Sequence, residues 1–119
     1  MDLIEQASEI GSLIAYRQNG DANLTEYALH LALSGNYHAA RSLRNELSFD
    51  NPARDFIPAV IHLKQGDYFL AELDCRRAAF SDPRLSEKLD GLRNRIIDAR
   101  DSLEDIKLPE KAEPEEVAA

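Results

Sequence analysis

The chain has 119 residues, of which 44% are hydrophobic and 30% are charged, proportions that are typical of one folded domain and not of a disordered chain. Its formal net charge of -8 repels phosphate backbones and anionic membrane surfaces, so we expect no nucleic acid as partner and no membrane insertion. Cys75 is the single cysteine, which excludes an internal disulfide and suits a reducing compartment, so a cytoplasmic location is expected.

Apolar residues recur every three or four positions along most of the chain, which predicts an all-α protein without strands. The first helix is expected over residues 2–18, because Gly20 follows it as a stop signal. Asn23 is the expected N-cap of the second helix, and Glu26 three residues later completes a capping box. This second helix is expected to end at Gly35.

The third and fourth helices are separated by a proline. The third is expected over residues 37–49, and the fourth begins after Pro52, since proline is favoured at the first position of a helix. Gly66 ends the fourth helix. Pro58 lies inside it and removes one backbone hydrogen bond, so the pattern predicts either a kink or a late start near Phe56.

The last two helices complete one domain over residues 1–106. Asp67 is the expected cap of a fifth helix that runs through Phe80. A disordered acidic tail is expected over residues 107–119, where two prolines and many charges leave no apolar face. The sixth helix, over about 84–106, has one apolar face that another element must cover. Its apolar residues are Leu85, Leu89, Leu92, Ile96, Ala99, Leu103 and Ile106.

The most specific pattern in the sequence is an internal repeat with an offset of 31 residues. Its chemistry is coherent: small residues let two helices approach closely, glycine makes the turn between them, and proline opens the next unit. The repeat therefore predicts a helix-turn-helix hairpin used twice. The residues Ala28, Gly35, Tyr37, Ala40, Phe49 and Pro52 recur as Ala59, Gly66, Tyr68, Ala71, Phe80 and Pro83.

These hairpins resemble tetratricopeptide repeats, whose signature includes Gly-x-Tyr followed by alanine three residues after the tyrosine. Residues 35–40 (GNYHAA) and 66–71 (GDYFLA) match that stretch, and the resemblance covers about residues 21–83. The period is shorter than the usual 34, and the first-helix tryptophan of the family is missing. The resemblance implies a short solenoid with repeats over about 21–51 and 52–82, closed by the sixth helix as a cap.

The same resemblance implies binding and not chemistry, because such hairpins line a concave groove with their first helices. The positions expected in this groove are mostly apolar, which favours an amphipathic helix or extended peptide of a partner protein over an acidic C-terminus. Very small acidic proteins of this kind are also similar to bacterial type III secretion chaperones, so an adaptor or chaperone is expected. The predicted groove residues are Thr25, Leu29, Leu33, Phe56, Val60 and Lys64.

No enzyme, cofactor or metal site is expected. The three histidines lack the spacing of metal ligands, and Cys75 falls at a core position of the repeat. Six arginines could form a basic stripe if they cluster on one side: Arg41, Arg44, Arg76, Arg77, Arg93 and Arg95.

An alternative to the adaptor is a structural subunit that assembles through its last helix. In that case the chain would form a homo-oligomer whose contacts use Leu85, Leu89, Leu92 and Ile96.

Overall fold

The computed structural model describes residues 2–17 and 20–118, with side chains as far as residue 102. Six α-helices and one 3-10 turn make up this part of the chain, and it contains no strand, so the all-α class is confirmed. The elements are α1 (Leu3–Tyr16), α2 (Ala22–Leu33), α3 (Tyr37–Arg44), α4 (Ala53–Lys64), α5 (Tyr68–Ser81), the 3-10 turn (Pro83–Leu85) and α6 (Ser86–Ala118).

The helices pack around one hydrophobic core. Helices α2 and α3 form one hairpin and α4 and α5 form a second, with α2 lying against α4. Helix α6 covers α5, as a capping helix would. Helix α1 packs against α2, α4 and α6, whereas α4 and α6 do not touch each other within the described chain. The N-terminal helix therefore fills the space between the first helices of the hairpins and the last helix.

Both hairpins turn in the same way. Gly35 and Gly66 have φ values of 90° and 79°, a left-handed conformation that glycine adopts without strain. Asn36 and Asp67 then donate their N–H groups to the carbonyl five residues earlier, at 2.9 and 2.8 Å. These are the hydrogen bonds of a Schellman motif, and they satisfy carbonyls that the helix end leaves without partners. The predicted glycine turns are confirmed.

The entry into the next helix is repeated as well. The side-chain oxygen of Asn51 accepts from the N–H of Ala53 at 2.9 Å, and that of Asp82 accepts from the N–H of Arg84 at 3.1 Å. Both side chains are buried, and each stands just before the repeated proline. The small residues that were expected at the helix contacts are fully buried: Ala28, Ala59, Ala40 and Ala71.

The predicted start of the second helix is wrong. Asn23 and Glu26 do not cap α2, which begins one residue after Asp21. The carboxylate of Asp21 accepts from the backbone N–H of Ser48 at 2.7 Å, so it joins the start of α2 to the loop before α4. Helix α4 begins at Ala53, directly after Pro52 as expected, so the alternative of a late start near Phe56 does not hold.

The proline inside α4 has its missing hydrogen bond replaced from the first hairpin. Pro58 has no N–H, so the carbonyl of Arg54 lacks its helical donor. The Nε of Arg44, at the end of α3, donates to this carbonyl at 2.6 Å. In return, the Arg54 guanidinium donates to the carbonyl of Leu47 at 2.8 Å. The end of the first hairpin thus completes the first turn of α4.

The helix lengths differ from expectation at two places. Helix α3 ends at Arg44 and not at Phe49; Leu47 in the connection is buried. The backbone of α6 continues to Ala118, beyond the expected end at residue 106. The side chains of residues 103–119 lie outside the described ones, so the disordered tail over 107–119 remains a prediction.

Candidate functional site

The structure does not present the predicted groove as an open surface. Four of its six residues, Thr25, Leu29, Phe56 and Val60, are at most 5% exposed and belong to the interior. Leu33 is half-buried and packs on the core, and the remaining residue, Lys64, is exposed at the end of α4. The first helices of the hairpins do share a face, but this face is a core surface.

The predicted groove is closed because α1 lies on it. Gly11 in α1 is buried, and a Cβ at this position would come within 2.7 Å of a methyl carbon of Leu29. The absence of a side chain at Gly11 is what allows α1 to lie this close to α2. Ala7 and Ile14 on the same face of α1 are fully buried. Gly11, a small residue inside an amphipathic helix, is the sequence feature that indicates this close contact between α1 and α2. It lies outside the repeat, so the repeat pattern did not predict the contact.

As far as Ile96, the apolar stripe predicted for the last helix is also buried within the chain. Leu85, Leu89, Leu92 and Ile96 are at most 1% exposed, and α6 packs against α5 and α1. The surface proposed for self-assembly through these residues is therefore already covered in the single chain.

A buried carboxylate links α5 to α6. Glu72 is 6% exposed, and its Oε2 lies 3.0 Å from the Nε atoms of both Arg76 and Arg93. The hydrogen bond from Arg76, helped by Arg93, lowers the pKa of Glu72 even though burial acts in the opposite direction. The pair with Arg93 crosses between helices, so this cluster fixes α6 in position on α5.

Glu72 should make the stability of the chain depend on pH. Because its folded pKa lies below the ordinary 4.5, the stabilisation is complete above pH 4.5 and is lost as the pH falls through the folded value. We expect Glu72→Gln to flatten the fall in the free energy of unfolding below pH 4.5, as measured by urea denaturation. Glu87→Gln, at an exposed position, is the control. Identical pH profiles for wild type and Glu72→Gln would contradict this role.

A second buried carboxylate joins the two helices of the second hairpin. Asp74 Oδ2 lies 2.6 Å from Nδ1 of His62, and burial raises the pKa of this carboxyl while the hydrogen bond from His62 opposes the rise. Cys75 beside it is fully buried, and burial raises its thiol pKa to about 12, so the thiolate is disfavoured. No group of three or more His, Cys, Asp or Glu side chains that could hold a metal ion occurs among the described residues.

An open groove of about 630 Å³ lies between α1 and α6. Gly91 lies in the second turn of α6 and lines this groove. Within 4 Å, a Cβ at Gly91 would meet only Nε2 of Gln6, at 3.9 Å. The groove closes at one end, where Arg95 donates to the Oε1 of Gln6. Its lining residues are Gln6, Glu9, Ile10, Leu13, Glu87, Lys88, Gly91 and Arg95.

The groove between α1 and α6 has an apolar part and a charged rim. Ile10 is buried and Leu13 is half-buried, and both come from α1. Glu9, Glu87 and Lys88 form no ion pair with any described residue. The groove thus combines apolar surface with charges that are available to a ligand.

A further cavity of about 390 Å³ lies between the first turn of α4 and the last turns of α5, and its lining includes Phe80, Arg76 and Arg77. Phe80 is 89% exposed, and Phe49 at the equivalent repeat position is 90% exposed. Two of the six arginines that could have formed a basic stripe therefore share one cavity, next to an exposed aromatic ring.

No protein-family model, no curated protein and no solved structure matches this chain. Within the described ranges, no helix combines the length and the apolar character that crossing a membrane requires.

Proposed function

We propose that this chain is a protein-interaction module that binds an amphipathic helix of a partner protein in the groove between α1 and α6. The observation that carries the proposal is Gly91, a glycine inside a helix that the packing of the chain itself does not require. Glycine in a helix interior costs roughly 0.5–1 kcal/mol relative to alanine. A Cβ at Gly91 would make only an ordinary van der Waals contact, so alanine would fit the free chain.

Close packing of a partner helix against α6 would explain why residue 91 is a glycine. Two helices pack with their axes about 8–10 Å apart, and small side chains at the crossing give the shorter distances. Leu13, which is half-buried, offers an apolar surface beside Gly91 for anchors spaced three or four residues apart, and the buried Ile10 lines the same groove. From Gln6 to Leu13 the groove follows about 10 Å of α1, which matches about two turns of a bound helix.

The charged rim favours a partner helix with charged residues of both signs at its edges. Glu9 on α1 and Glu87 on α6 carry two negative charges, and Lys88 and Arg95 on α6 carry two positive charges, so the charges of the lining cancel. Arg95 is engaged with Gln6 at the end of the groove. Basic side chains of the partner would meet the unpaired carboxylates, acidic ones would meet Lys88, and together they would set the direction of the helix.

The role that follows is that of an adaptor or chaperone, and we propose no catalytic activity. We interpret the two hairpins as shortened tetratricopeptide-like repeats, supported by the matching glycine turns and by the matching hydrogen bonds of Asn51 and Asp82. In this interpretation α1 closes the array on the side of the first helices. The resemblance to type III secretion chaperones suggests a helical export substrate as one candidate partner.

Substitutions of Gly91 separate binding from folding. We expect Gly91→Ala to raise the free energy of unfolding by up to about 1 kcal/mol, because it increases helix propensity without a clash. We expect Gly91→Leu to keep the fold and to weaken partner binding by about tenfold or more, because its side chain fills the groove. Thermal unfolding followed by circular dichroism measures the first effect. Co-purification with a tagged chain, followed by titration of the recovered partner, measures the second.

Ser42→Leu is the matched control, since it adds the same side chain at an exposed position of α3, which contacts neither α1 nor α6 in the described chain. Partner binding that survives Gly91→Leu, or that Ser42→Leu weakens equally, would show that the groove between α1 and α6 is not the binding site.

A further inference from the structure

The two phenylalanines of the repeat are exposed although their positions recur. Phe49 and Phe80 lie 31 residues apart and leave 90% and 89% of their surface open to solvent. The recurring alanines at Ala40 and Ala71 are, by contrast, fully buried. Core packing therefore explains the alanines and does not explain the phenylalanines. Phenylalanine is enriched at protein interfaces, where a partner covers the ring.

Both rings lie beside the first turn of α4. The guanidinium carbon of Arg54 is 4.6 Å from the centroid of the Phe49 ring, which is a cation–π contact. Asp55, the next residue, accepts from the hydroxyl of Ser81 at 3.3 Å and lines the same cavity as Phe80. The loop before α4 and the end of α5 thus bring the two phenylalanines to the same end of the helices.

Two arginines and one carboxylate, Asp55, line the cavity beside Phe80, so the cavity carries an excess of positive charge. Arg76 and Arg77 line the cavity with Phe80, and their side chains are 58% and 60% exposed. The carboxylates they pair with, Glu72 and Asp74, are only 7% exposed and lie beneath them. The negative charges are therefore inside and the guanidinium groups outside, and the exposed groups are separate from the groove between α1 and α6.

We infer that Phe49, Phe80, Arg54, Arg76 and Arg77 form a second interaction surface that binds an acidic segment of another protein carrying aromatic or aliphatic side chains. The apolar side chains of that segment would cover the two rings. Its carboxylates would pair with Arg76 and Arg77, since guanidinium groups bind carboxylates with two hydrogen bonds. Asp55 accepts a hydrogen bond from Ser81 and carries a negative charge on the α4 side of the cavity. The positive charge is therefore confined to the side formed by the arginines. This inference does not depend on the proposed helix groove.

A library of random peptides tests the inference without a known partner. The immobilised full-length chain would select peptides, and binders to a Phe49→Ala/Phe80→Ala variant would be removed. We expect the enriched peptides to be acidic and to contain aromatic or aliphatic residues. Their affinity, measured by fluorescence anisotropy, should fall about tenfold or more on Phe80→Ala or Arg77→Gln. Added salt should weaken binding further, because the charged groups are exposed.

The controls carry the same substitutions elsewhere on the surface. Phe69→Ala removes an exposed phenylalanine at the other end of α5, and Arg41→Gln neutralises an exposed arginine on α3. Both should leave peptide binding unchanged. Enrichment of neutral or basic peptides, binding that is insensitive to Phe80→Ala, or no enrichment at all would each overturn the inference.

A second copy of this chain could occupy the same surface in place of an acidic partner. Sedimentation of the full-length protein at increasing concentration distinguishes these two occupants. We expect no self-association through this surface, because arginines of two copies would face each other. Self-association that is lost on Phe80→Ala would place a second copy there and would overturn the choice of an acidic partner.

Discussion

The double variant Leu29→Asp/Phe56→Asp is expected to be unfolded at 25 °C. Both side chains are at most 5% exposed, and Phe56 is one of the largest fully buried residues. Removing a buried phenylalanine side chain alone costs about 3–5 kcal/mol, and an unpaired buried carboxylate adds several more. Two such changes exceed the roughly 5–15 kcal/mol that stabilises a typical domain. Far-ultraviolet circular dichroism should show that the helical signal is lost.

Lys64→Asp is the matched control for the double variant. It places the same charge at another residue of the predicted groove, but Lys64 is exposed, so the helical signal should remain. A double variant that kept its helices and lost only partner binding would show that Leu29 and Phe56 face a ligand and not the core.

Ala40→Glu and Ala71→Glu are each expected to lower the melting temperature strongly or to prevent folding. The two alanines are fully buried at equivalent positions, where α3 packs on α2 and α5 packs on α4. Glutamate there must either separate the helices or bury its charge without a partner, at a cost of several kcal/mol. Differential scanning calorimetry measures the effect.

The controls for the alanine variants lie two residues earlier in each hairpin. His38→Glu and Phe69→Glu introduce the same side chain at exposed positions and should change the melting temperature little. Unchanged melting temperatures for both alanine variants would contradict the assignment of the repeat.

Sequence reasoning predicted those features of the fold that depend on neighbouring residues. The turns at Gly35 and Gly66 and the cap at Asp67 follow from residues a few positions apart. The start of α2 did not follow, because Asp21 bonds to Ser48, which is 27 positions away. An Asn-x-x-Glu pattern supports a capping box only when no distant contact sets the start of the helix.

The candidate site was less predictable, because periodicity shows that a face is buried but not what covers it. The faces that contain Leu29 and Leu92 were correctly identified as apolar. Packing of the last helix on the preceding hairpin was expected, whereas the contact of α1 with the face of Leu29 was not. The groove at Gly91 could not be deduced, because it exists only where α1 and α6 meet. Phe49 was expected as the last residue of the third helix, whereas α3 ends at Arg44 and Phe49 is exposed in the connection to α4.

The hydrogen bond from Arg44 to the carbonyl of Arg54 limits how modular this array can be. In many repeat proteins each unit carries its own backbone hydrogen bonds, so that units can be added, removed or exchanged. Here Pro58 in α4 has no backbone N–H to donate within the second hairpin, and Arg44 of the first hairpin donates in its place. The second hairpin without the first would begin with an unsatisfied carbonyl and an uncovered face. The two units are therefore alike in shape but not interchangeable, and the chain should unfold as a single cooperative unit and not hairpin by hairpin.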